Sequence, residues 1–193
     1  MKKKLLLQLI LIFALLFSSV SYAADVNSTR DIPVGGSGQM EMVGTIEPTI
    51  LSVTMPTFVP FNISSSLPTQ NKVISPRIKM KNNSNVPVRV DVAYTKVDLS
   101  KLDNVTWSDT GMVSNNQIAI GLKQEESKDE MPESLAQARW LKANQKQDMN
   151  VLILNANQEG ALYVVGTMGQ NVSDNGTFNV TPTFVVSKTS AAD

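Results

Sequence analysis

The chain has 193 residues, 17 Lys+Arg against 17 Asp+Glu, and neither histidine nor cysteine. The two absences exclude Ser-His-Asp and Cys-His catalysis, histidine-ligated zinc and disulfide bracing. Beyond Lys2-Lys3-Lys4 there is no lysine run, which disfavours nucleic acid as a partner and attraction to anionic lipid.

The first element reads as a signal peptide over 1–23. Lys2, Lys3 and Lys4 are its positive region, Leu5 to Phe17 is its apolar run, and Ser21-Tyr22-Ala23 places small residues at the −3 and −1 cleavage positions. This run of thirteen residues, broken only by Gln8, is shorter than the roughly 18–20 of a spanning helix, so no membrane insertion is expected once the signal is removed. The remaining 170 residues carry 14 Lys+Arg against 17 Asp+Glu, a weakly acidic chain long enough for one domain with its own core. A secreted or extracellular location follows, and the lack of cysteine suits a Gram-positive exporter.

Residues 24–38 read as a flexible leader because of Gly35-Gly36-Ser37-Gly38. A single domain is expected over 39–190. Gln39 to Ile46, Ile50 to Met55 and Val59 to Ile63 are strand-like and separated by Pro48, Pro56 and Pro60. Ile78 and Met80 alternate with Arg77, Lys79 and Lys81. Val88, Val90, Val92 and Tyr94 share one parity against Arg89, Asp91 and Thr95, and Ile118, Ile120 and Leu122 repeat the pattern of a half-buried strand. Between them, Asn82-Asn83-Ser84-Asn85 and Asp109-Thr110-Gly111 supply turn chemistry.

Residues 124–147 are charged and amphipathic. Pro132 near a start after Asp129 or Glu130, with Leu135, Ala138 and Leu141 at i, i+3 and i+6, predicts one short helical insertion near 129–142. Met149 to Leu154 and Leu162 to Val165 are apolar on both parities and read as central strands. Asn175-Gly176 marks a hairpin turn. In the last strand Phe178, Val180, Pro182, Phe184 and Val186 share one face, and Pro182 puts it at a sheet edge or at a bulge. Nine or ten short strands imply an all-β fold, a two-sheet β-sandwich of immunoglobulin-like or jelly-roll type.

Ile50 to Ile63 ("ILSVTMPTFVPFNI"), Ser75 to Val92 ("SPRIKMKNNSNVPVRVDV") and the closing "GTFNVTPTFVVS" resemble a group of secreted Gram-positive (Firmicute-type) surface proteins. The resemblance implies a β-sandwich at the cell surface, with fibre or matrix building in some members. It carries no catalytic residues over.

Candidate sites are few. Met40-Glu41-Met42 has a copper(I)-carrier spacing but equally fills a core face. Glu125, Glu126, Asp129, Glu130 and Glu133 concentrate carboxylates, yet Lys123 and Lys128 sit among them and no calcium-loop spacing occurs. Trp107, Trp140, Tyr94 and Tyr163 offer either a sugar-stacking platform or plugs for the ends of the fold. Glu41 and Glu47 have no paired acid for glycoside hydrolysis. Lys79 and Asn179 fall on the solvent parity, against a lysine–asparagine isopeptide bond. We therefore expect no catalytic residue, cofactor or metal site. The expected function is structural, through contacts with like copies or other surface proteins, with Gln39 to Ile46 available either for strand exchange with a neighbour or to close its own sandwich in a monomer. A polysaccharide-binding module is the alternative.

Overall fold

A computed structural model describes residues 49–68, 70–172 and 176–189. The chain divides between Ile46 and Glu47, and the described residues all belong to the second part. The expected signal, leader and Gln39–Ile46 strand, with Met40, Glu41, Met42 and Glu47, and Asn175 of the expected hairpin turn lie outside the described residues.

Eleven strands follow one another: Val53–Thr54 (β1), Asn62–Ile63 (β2), Val73–Ile74 (β3), Ile78–Asn82 (β4), Val88–Asp98 (β5), Thr106–Trp107 (β6), Gln117–Gln124 (β7), Arg139–Trp140 (β8), Lys146–Leu154 (β9), Glu159–Met168 (β10) and Asn179–Lys188 (β11). The fold is all-β, and there is no helix among the described residues. No helix there is long and apolar enough to cross a membrane.

The expected helix near 129–142 is not formed. Asp129 and Gln137 hold positive φ values of 64° and 62°, which a right-handed helix cannot contain. Glu130 N–H donates to Ser127 O and Ala138 N–H to Leu135 O, so the segment is a pair of turns. Its last residues become β8, where Trp140 pairs with Gly121 and Arg139 with Leu122. Leu141 is buried, but because its N–H bonds Ile120 O.

Six strands form one sheet in the order β1-β4-β10-β7-β6, with β8 also on β7. A three-stranded sheet has the order β11-β5-β9, and β2 pairs β3. Both larger sheets feed one core: Ile78, Met80, Ile118, Ile120, Leu122, Leu162 and Val164 from the first, Val88, Val90, Val92, Leu152 and Leu154 from the second. Alternation in β4 and β11 is as the pattern predicts, with Lys79 and Asn179 exposed. Pro182 lies on a strand bonded to β5 alone, next to an irregularity in that pairing, at Thr183/Phe184.

Three expectations change. First, β7 is buried on both parities, Ala119, Gly121 and Lys123 included, because β10 flanks it and the 125–138 segment folds back beside it. Second, β9 is an edge of its sheet, with Ile153 exposed. Third, β5 changes parity near Ala93. Val92 pairs Phe184 and Tyr94 pairs Thr183, so Ala93 is a bulge residue with no opposite number in β11. Past it Thr95 and Val97 turn inward and Tyr94 is half-buried.

Candidate functional site: an open seam and a closed one

The segment 52–64 runs antiparallel to 72–84 at both of its ends. Ser52 O accepts from Asn83 N–H, Val53 and Thr54 pair Asn82 and Lys81, Asn62 and Ile63 pair Ile74 and Val73, and Ser64 N–H donates to Lys72 O. Pro56, Pro60 and Pro76 interrupt the ladder between these ends. The two short pairs are thus one broken edge strand, alternating inward Val53, Met55, Val59, Phe61 and Ile63 with exposed Thr54, Phe58, Pro60 and Asn62.

Side chains replace the missing backbone bonds that tie this edge to the sheet. Buried Asn71 accepts from Val73 N–H and Gly166 N–H through Oδ1, and donates from Nδ2 to Pro132 O. Ser75 Oγ accepts from Val164 N–H, and Lys72 N–H donates to Gly166 O. Asn82, fully buried, donates to Val86 O and Asn155 O at 2.8 Å and accepts from Ser84 N–H. The asparagine-rich turn signal was legible. The inward asparagines were not, since an asparagine is far more often exposed.

Phe61 on this edge meets Phe178 at the entry to β11 edge-to-face, with centroids 5.7 Å apart. Broken edge strand and β11 therefore flank the same side of the core. Their inward apolar side chains, Val53, Met55, Val59, Phe61 and Ile63 on one, Phe178, Val180, Phe184 and Val186 on the other, are all only partly buried. On each strand one backbone edge has no strand partner among the described residues. This is an open seam: two strand edges without a strand partner among the described residues, backed by half-buried apolar side chains, with Ile50 and Phe58 exposed nearby in the chain.

On the β9 side the 139–147 segment crosses from one sheet to the other. Leu141 N–H bonds Ile120 O, Trp107 Nε1 donates to Leu141 O at 2.9 Å, and Asn144 bonds Thr95 and Val97. Asn144 has φ 53°, a conformation asparagine tolerates well. Asp109 secures the crossing by accepting from Ala143 N–H and Gln145 Nε2.

The predicted aromatic platform is not assembled. Tyr163 is buried on β10, and burial pushes its hydroxyl pKa upward. Trp107 is half-buried with its N–H used, Tyr94 is half-buried on β5, and Trp140 packs its ring on Gly111, where a methyl group would overlap it. Of the acidic group, Glu125 takes both oxygens to Arg77, at 2.5 and 2.6 Å, and accepts from Asp129 N–H. The Arg77 guanidinium holds the Glu125 carboxyl below its usual range, and Arg77 is raised in turn. Asp129 and Glu159 approach the same arginine at 3.5 and 3.4 Å, and Glu126 pairs buried Lys123 at 3.0 Å. Glu130 and Glu133 remain exposed. Among the described residues no three acids are grouped as a metal-binding cluster.

No family model, no curated protein and no solved structure matches this chain.

Proposed function

We propose that the protein is an exported, non-catalytic component of a cell surface, matrix or fibre that works through protein contacts. In this reading its fold is a two-sheet sandwich of immunoglobulin-like or jelly-roll type. Assembly seats Gln39–Ile46 of one copy in the open seam of the next.

The observation that carries this reading is the two unpaired edges, of the broken edge strand and of β11, each backed by half-buried apolar side chains. A strand added there gains backbone hydrogen bonds along an unpaired edge and covers half-exposed apolar side chains together. In Gln39–Ile46, Met40, Met42, Gly44 and Ile46 share one parity, which suits an apolar seam, while Gln39, Glu41, Val43 and Thr45 take the other. The aromatic-platform version of polysaccharide binding has less support, since its four rings do not come together.

The test compares the chain beginning at Ala24 with a chain lacking 24–46, by light scattering and electron microscopy. The longer chain is expected to form oligomers or fibres, and the shorter one to stay monomeric. Excess peptide of sequence 39–46 should cap the seam and shorten the assemblies. Assembly unchanged by the deletion removes strand exchange; monomers of both chains at all concentrations remove self-assembly.

A further inference from the structure

We propose that the cleft at the foot of the 125–138 loop binds a uronate-type sugar of an acidic polysaccharide. The cleft, of about 570 Å³, lies between the end of β7, the start of β8 and the edge strand β9. That volume falls in the range of small-ligand sites. It is separate from the open seam, and the proposal stands whether or not the protein self-assembles.

Four side chains give the cleft its chemistry. Arg139 is exposed and has no ion-pair partner among the described residues, although most neighbouring acids are already paired. Gln124 and Gln137 present free amides on the same walls. Across from them, Asn150 uses its Nδ2 toward Val90 O and Asp91 Oδ1, and its Oδ1 receives no donor among the described residues. Val151 lies behind as an apolar floor. A lone guanidinium matches one carboxylate in a two-pronged geometry, and amides that both donate and accept match neighbouring hydroxyls. Glu126 at the rim, 59% exposed, repels ligands with dense negative charge such as phosphate polymers. One carboxylate per ring is the charge density that remains.

Two further features mark a prepared site. The loop is held at its first foot and in its middle: Arg77 grips Glu125, Lys123 Nζ donates to Ser134 O at 3.0 Å, and Asn71 holds Pro132. Preorganised walls lose little freedom when a ligand arrives. Gln137 also keeps its φ of 62° although it is not glycine, a conformation that L side chains disfavour and that clusters at functional positions.

The experiment titrates the isotope-labelled full chain with trigalacturonate, galactotriose and polyglutamate, followed by amide NMR shifts. Trigalacturonate is expected to shift residues 123–126, 137–139 and 150–151, with galactotriose much weaker. Arg139→Ala should weaken trigalacturonate roughly tenfold or more, and Arg139→Lys should recover only part of that. Gln137→Gly should weaken binding without lowering the melting temperature, because glycine accepts this φ freely. That result separates a ligand contact from a merely structural role. Absent shifts, shifts elsewhere, or equal binding of galactotriose overturn the site. Equal binding of polyglutamate overturns the saccharide assignment.

Discussion

The two sides of the core differ in how they end. On the β9 side the 139–147 crossing links the sheets, and Leu141 is 2% exposed. On the β11 side nine inward apolar side chains stay half-covered. Yet the strands themselves are of similar length: β9 has nine residues and β11 ten. Closure is therefore a matter of connection. The 139–147 crossing bonds Ile120, Trp107, Thr95 and Val97 on its way from β8 to β9, whereas the outer edge of β11 is paired by no strand among the described residues.

The largest expected difference comes from truncating one side chain on each side. Leu141→Ala removes a fully packed side chain and should cost about 2–5 kcal/mol. Phe184→Ala, on the half-covered face of β11, should cost about half as much. Urea unfolding of the monomer checks both. A Phe184 cost equal to that of Leu141 would mean that the seam is as tightly packed as the closed side. Next in size is Asn71→Ala, which strands Val73 N–H, Gly166 N–H and Pro132 O, for a loss of about 2–3 kcal/mol. Hydrogen exchange should quicken at Val73 and Gly166 while the amides of β5 keep their protection. Smaller still, Trp107→Phe keeps an aromatic ring but removes the indole N–H that bonds Leu141 O, for a loss of about 1 kcal/mol from that bond. Its effect should appear in exchange at Leu141 and be absent at β11.

Much of the strand content was legible because it rests on period-two burial, which needs only local sequence. The alternations of β4 and β11 and the doubly buried β10 were of this kind. What failed were inferences from short or long-range signals. Three apolar residues at i, i+3 and i+6 looked helical, but two loop residues with positive φ set the 129–142 path. The register that makes 52–64 a single edge strand spans three prolines and is invisible locally. Ala93 changes parity only because β11 lacks a residue opposite it. The cleft joins β7 and β9, which are far apart in the sequence, so no local pattern marks it.

The smallest expected effect concerns acid, and it tests whether the loop foot is held by charge. The Glu125 carboxyl is depressed in the folded chain, first by its hydrogen bonds from Arg77. An acid with a lower folded than unfolded pKa binds fewer protons when folded. Its contribution is therefore complete above the unfolded value of about 4.3, and it is lost as pH falls through the depressed folded value. Glu125→Gln should lower stability slightly at pH 7, since a partly exposed ion pair contributes little. Below the range of folded titration, variant and parent should converge, because protonated Glu125 and glutamine are both neutral there. Thermal melts from pH 7 to pH 2 measure the gap directly. A gap that stays constant with pH would show that Glu125 acts through shape and hydrogen bonding, with no role for its charge.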